Sequence, residues 1–153
     1  MNQSETSKLH SIGKARRLRR LLDDDGHFCV VALDQRAILQ RMLAESKRVA
    51  ESELAFTDML AVKHLLVDVL ATKASAMLFD PNIAVPAALE VLPRDTGLIV
   101  SLEHHLFEDT RYGRKSHSIP DWSVEKIQKL GADGVKVLLW YHPQAQQLSL
   151  IHI

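Results

Sequence analysis

The sequence predicts an α/β domain built on parallel strands. Three observations carry that prediction: four short apolar runs recur along the chain, segments with helical spacing of apolar residues lie between them, and polar residues cluster where the runs end. Runs that are apolar at consecutive positions suit strands covered on both faces. Their alternation with helices implies right-handed crossovers between parallel neighbours.

The first element is an amphipathic helix over Ser7 to Leu22, with Leu9, Ile12, Leu18, Leu21 and Leu22 close to three-and-four spacing. It ends in the turn Asp23-Asp24-Asp25-Gly26. The basic cluster Lys14 to Arg20 reads as a solvated face, because the acidic triplet after it offsets its field and no aromatic interleaves it. Phe28 to Leu33 follows as a strand buried on both faces. A long helical region comes next, clearest from the candidate cap Thr57 through Met59, Leu60, Val62, Leu65, Leu66, Val69 and Leu70. The second strand, Ala74 to Phe79, stops at Asp80-Pro81-Asn82, which reads as an Asx or Pro turn. The third, Leu98 to Leu102, runs into Glu103-His104-His105, and Arg111 to Lys115 around Gly113 reads as a mobile basic loop. Trp122 to Leu130 carries Val124, Ile127 and Leu130 on one side of a helix stopped by Gly131; Gly134 to Trp140 is the fourth strand.

Composition narrows the function. Nineteen Lys and Arg balance 19 Asp and Glu in 153 residues, so the chain lacks the field that a nucleic-acid binder or an anionic membrane surface would require. The expected ligand is small. No apolar run approaches the roughly 20 residues of a membrane span, and Met1 to Lys8 lacks the apolar core of a signal peptide. A single cysteine, Cys29, points to a reducing compartment, with the cytoplasm as the default. Four βα units fit an open flavodoxin-like sheet in length, yet they are also half of a closed (β/α)8 barrel, which needs about 250 residues. No helix follows the fourth strand, and Leu148 to Ile153 is apolar without caps or period, so truncation after about the fourth strand is expected. Residues 1–147 are then a partial barrel domain and 148–153 a non-native or readthrough tail.

Candidate chemistry sits at the strand ends, where α/β folds place their sites. Asp34, Gln35 and Arg36 after the first strand supply an acceptor, a two-way hydrogen bonder and a fixed cation, a set suited to hydroxyls and a phosphate or carboxylate. The alternative reading makes Asp34 a helix cap and leaves the other two on the surface. Lys136 interrupts an apolar strand; burial without a partner would depress its pKa, and such a lysine binds an anionic oxygen, exchanges protons or attacks a carbonyl. A solvent-facing edge lysine is the competing account. Glu103 is a candidate proton-transfer or hydrogen-bonding group. His104 and His105, being adjacent, point to opposite sides of a strand, and HExxH and cysteine clusters are absent, so no metal is expected. Neither a P-loop nor GxGxxG is present.

Taken together, Ala32-Leu33-Asp34-Gln35-Arg36, Ala76-Met77-Leu78-Phe79-Asp80-Pro81, Glu103, and Trp122-Ser123-Val124-Glu125 leading through Gly131-Ala132-Asp133 to Val135-Lys136-Val137-Leu138-Leu139-Trp140-Tyr141 resemble the tagatose 1,6-bisphosphate aldolase family, the LacD-like class I aldolases. The resemblance covers roughly Asp24 to Pro143. It implies the N-terminal half of a (β/α)8 barrel and cleavage of a ketose 1,6-bisphosphate to dihydroxyacetone phosphate and glyceraldehyde 3-phosphate, with no metal or other cofactor. By the same resemblance Asp34 handles substrate hydroxyl protons, Gln35 and Arg36 bind substrate, and Glu103 and Lys136 are the pocket carboxylate and a lysine that does not form the Schiff base. The Schiff-base lysine of the family lies on a later strand than this chain reaches, so the fragment is expected to be inactive. A non-catalytic sugar-phosphate-binding module, or an aldolase for a related ketose phosphate such as sulfofructose phosphate, are the alternatives. The expected partner is the phosphorylated ketose, with neither nucleic acid nor membrane, and a homo-oligomer is compatible with the full-length protein.

Overall fold

The computed structural model describes residues 11–111, 113–140 and 143. Four parallel strands form its sheet: β1 (Val30–Leu33), β2 (Ala76–Phe79), β3 (Gly97–Ser101) and, after a hairpin introduced below, β6 (Gly134–Lys136). Their spatial order follows the order along the chain, and β1 and β6 form the outer edges. A flavodoxin-like sheet would place the second strand outside the first. Chain order with all strands parallel differs from that arrangement and is consistent with consecutive units of a (β/α) barrel.

Helix α1 (Ile12–Arg20) precedes β1; α2 (Ala37–Lys47) and α3 (Phe56–Leu70) separate β1 from β2, and α4 (Ala84–Ala88) separates β2 from β3. Helix α5 (Val124–Leu130) comes before β6. One core cluster joins Val67 of α3, Ala84, Val85 and Ala88 of α4, and Ile127 of α5 to Leu33, Met77, Phe79, Leu98 and Val100 of the strands. Helices therefore cover one face of the sheet. By alternation the other face carries Ala32, Leu78, Ile99, Ser101 and Lys136.

Several boundaries differ from those read in the sequence. The first strand is not buried on both faces: Phe28, Val30 and Ala32 are exposed, because β1 is an edge strand and helices pack on one of its sides. Helix α3 begins after Ala55, whose side chain makes no cap bond, so Thr57 lies in the first turn. For α1 the cap is Ser11, whose hydroxyl accepts from the Lys14 amide; Ser7 to His10 lie outside the described residues, as does 144–153. Helix α5 starts where Ser123 accepts from the Lys126 amide, and it ends at Gly131 in the left-handed region, as the sequence indicated.

The largest departure is a hairpin of β4 (Glu103–Thr110) and β5 (Gly113–Ser118), antiparallel with a register shift between Glu103 and Phe107. The expected basic loop is the tip of this hairpin. Glu108 stands opposite Lys115 and Asp109 opposite Arg114, so the basic residues face acidic ones across the ribbon. Neither strand is apolar or β-branched enough to announce itself.

The end of α1 closes the sheet where its strands begin. Leu21 is buried, its carbonyl accepts from the Ser75 hydroxyl (2.7 Å), and Arg20 pairs with Asp133 (3.0 Å), so the basic face of α1 is not wholly solvated. Gly97 opens β3 directly beneath: a Cβ there would lie 2.5 Å from the Arg20 carbonyl oxygen and 2.9 Å from the Leu21 side chain. Backbone cannot step aside as a flexible side chain can. Gly97→Ala is accordingly expected to lower stability by about 1–3 kcal/mol, read from the urea unfolding midpoint; an unchanged midpoint would show that α1 is loosely seated.

Candidate active site

The end of the sheet opposite α1 gathers the charged residues. Asp34 is the first residue after β1, Glu103 lies two residues beyond β3 and opens β4, and Lys136 closes β6, paired in register with Ser101. The Lys136 ammonium donates to Asp34 Oδ2 (2.9 Å) and to Glu103 Oε1. Residues 102 positions apart in the chain thus share one ion cluster. Its summed formal charge is negative, one ammonium between two carboxylates.

Burial within the cluster is uneven. The Asp34 and Glu103 side chains retain 14 % and 6 % of their accessible surface, whereas that of Lys136 retains 34 %. Burial by itself would lower the Lys136 pKa, and this was the direction expected for a partnerless lysine. Hydrogen bonds to Glu103 and Asp34 together with their charges outweigh it, so the pKa stands above 10.5 and the amine is held as ammonium. Although β6 is an edge strand, the competing account of Lys136 as a solvent-facing edge residue also fails, because its head group lies between two carboxylates.

Gln35 and Arg36 flank the cluster. The Gln35 side chain donates back to the Ala32 carbonyl (3.2 Å), and Arg36 Nη2 donates to the Glu103 carbonyl (2.9 Å), tying the segment after β1 to the start of β4. Arg36, not Asp34, occupies the N-cap of α2, and no side chain caps that helix, so the capping account of Asp34 is wrong. A cavity of about 270 Å³ opens here, lined by Asp34, Gln35, Arg36, Glu103, His105 and Trp140 among others. Three buried polar atoms around it, Arg36 Nε, Glu103 Oε2 and Trp140 Nε1, have no hydrogen-bond partner among the described residues. These atoms are themselves buried, so they mark unmet polar groups beside the cavity rather than open contacts on its wall.

His105 lines the same cavity as His104 and stacks on it, with ring centroids 4.5 Å apart, so the two adjacent histidines do not point to opposite sides as their neighbouring strand positions suggested. Burial, then the Arg36 cation, then His104 push its pKa below the ordinary histidine value, so it is neutral near pH 7. Among the described residues no group of three or more His, Cys, Asp or Glu could hold a metal ion, and no helix is long and apolar enough to cross a membrane.

Residues 28–151 match the DeoC/LacD family aldolase as a family. The chain belongs to that family. Similar proteins include the tagatose 1,6-diphosphate aldolase of Lactococcus lactis subsp. lactis, 33 % identical over 84 % of this chain, and tagatose 1,6-diphosphate aldolase 1 of Streptococcus mutans, 33 % identical over 81 %. The tagatose 1,6-diphosphate aldolase of Streptococcus pneumoniae is 34 % identical over 82 %. This member of the family spans 37 to 38 % of the length of these relatives.

Sequence reasoning missed a second buried pair, Lys63 with Asp80, both without exposed side-chain surface. Asp80 does make the turn expected of it, its Oδ1 accepting from the amides of Asn82 and Ile83 and its Oδ2 from that of Ala84. A signal for Lys63 was available: it falls midway between Met59 and Val67 on the buried stripe of α3.

Because the folded state holds the Lys136 proton more tightly than the unfolded chain, its contribution to stability is complete below pH 10.5 and is lost as pH rises through the higher folded value. Denaturation across the alkaline range should show a fall in stability beyond 10.5 that Lys136→Met reduces. In the same range Asp34→Asn should lower the Lys136 titration midpoint followed by side-chain NMR; an unmoved midpoint would mean that the pair does not form in solution.

Proposed function

We propose that this chain supplies the proton-handling half of a class I, Schiff-base aldolase that cleaves a ketose 1,6-bisphosphate, such as tagatose 1,6-bisphosphate, to dihydroxyacetone phosphate and glyceraldehyde 3-phosphate. The observation that carries the proposal is the convergence of Asp34, Glu103 and Lys136 at the C-terminal ends of parallel strands, in a chain of the DeoC/LacD family. The names of the relatives supply the substrate class.

In such a reaction an iminium on a lysine accepts the electron pair released when the carbon–carbon bond breaks, while a base takes the proton of the hydroxyl on the departing aldehyde carbon. Asp34 is that base. Lys136, an ammonium between two carboxylates, binds substrate oxygens and orients the Asp34 carboxylate; as a charged amine it has no lone pair with which to attack a carbonyl. Glu103 lines the cavity and meets a second substrate hydroxyl with its carboxylate. Gln35 and Arg36 bind the sugar phosphate at the cavity wall, with Arg36 matching an anionic oxygen. The nucleophilic lysine lies outside these 153 residues, the chain alone is without turnover, and the enzyme acts in the cytoplasm.

Borohydride trapping tests this assignment. Dihydroxyacetone phosphate with this chain should yield no reduced adduct by mass spectrometry. An enzyme that continues past this segment should yield one adduct, on a lysine absent here, and Lys136→Ala there should slow turnover by roughly 10²- to 10⁴-fold while still permitting trapping. An adduct on Lys136 itself would reverse the roles given to it.

A further inference from the structure

Lys63 carries its amine into the protein interior. Its side chain has no exposed surface, and it sits on α3 between the buried Met59 and Val67. A buried ammonium persists when each of its protons is met. Here Nζ donates to the carbonyl of Leu33 and to that of Gln35 (2.7 Å), and it pairs with Asp80 Oδ2 (3.4 Å). Two donors meet backbone carbonyls, and the Asp80 carboxylate supplies the opposite charge.

The two carbonyls are informative by their position, since Leu33 and Gln35 are the residues on either side of Asp34. Strand β1 ends at Leu33, and the chain takes a non-helical conformation at Arg36 before α2 begins. This short stretch therefore has neither ladder nor helix to fix it on both sides. One ammonium that donates to the carbonyls before and after Asp34 holds both of them to a single point. Asp80, which orients that ammonium, is fixed in turn by three backbone amides where α4 begins.

We propose that Lys63, anchored by Asp80, is a positioning residue: it clamps the backbone on both sides of Asp34 and so holds that carboxylate against Lys136. The clamp acts on a residue 29 positions before it through backbone alone, and it touches no group that lines the cavity through its side chain. Its catalytic relevance rests on the reading of Asp34 as the base.

The test reads the titration midpoint of the Lys136 side chain by NMR in this chain. Lys63→Met, and Lys63→Met with Asp80→Asn, which removes the stranded carboxylate charge, are compared with the unsubstituted protein and with Asp34→Asn. The midpoint should fall in both Lys63 variants toward the value in Asp34→Asn, whereas a role confined to overall stability would leave it in place in any variant that folds. A folded Lys63 variant with an unmoved midpoint overturns the proposal. Should Lys63→Met fail to fold, the double variant carries the comparison. The unsubstituted protein gives an independent reading: Lys63 ammonium protons should exchange with solvent at least ~100-fold more slowly than those of exposed Lys14, and surface-like exchange overturns the clamp. Failure of the base assignment is separable. It would show as full turnover by Asp34→Asn in an enzyme containing this segment, with the Lys136 midpoint still responsive to Lys63.

Discussion

Paired burial of charge governs the functional end of this sheet. An ammonium at the close of β6 cannot be withdrawn from water cheaply, and it is tolerated because carboxylates arrive from the ends of two other parallel strands. That requirement fixes more than one side chain. Strands β1, β3 and β6 must finish at the same level, and the segment after β3 must turn so that Glu103 faces back across the sheet. Arg36 reinforces the turn by taking the Glu103 carbonyl. At the opposite end the constraint is steric: a helix carbonyl lies so close to β3 that only glycine fits. One end of the sheet is sealed by contact, and the other is organised by charge.

The two buried ion clusters divide the labour around Asp34. Its side chain belongs to the Lys136 cluster, and the carbonyls around it belong to the Lys63 cluster. A carboxylate held from both directions has little freedom to follow its partner, so a base placed here is oriented before any ligand arrives. Such orientation is bought with desolvation, and the lowered Lys63 pKa, caused first by burial and opposed by Asp80, marks where it falls.

Much of this was legible in the sequence, for identifiable reasons. Asp34, Glu103 and Lys136 stood out because each is a charged residue at the edge of, or inside, an apolar strand, a contrast that survives without knowledge of the tertiary fold. Parallel strands followed from the alternation of strands and helices, but their spatial order did not, because a flavodoxin-like order fits the same alternation. The sign of the Lys136 shift did not follow, since it depends on two carboxylates that only the folded chain brings near. Lys63 escaped because its helix has apolar residues on several sides, so its four-residue spacing from Met59 and Val67 did not stand out from the others. The hairpin escaped because its strands are held by cross-strand charge pairs and by Arg114 packed over Phe107 and Trp140, which are not local patterns. Residues 148–153, read as a tail, lie outside the described residues.

The 102-residue span between Asp34 and Lys136 has a consequence for how the molecule comes into being. The loop that must close to join them encloses α2, α3, α4, α5, two strands of the sheet and the hairpin, so its closure entropy is met only after the intervening contacts have shortened the effective path. During synthesis Lys136 emerges long after Asp34, which must wait with its carboxylate hydrated while β2 and β3 add to β1. The charge cluster is therefore a late event in folding. A chain halted partway would hold sheet without the charge cluster at its end.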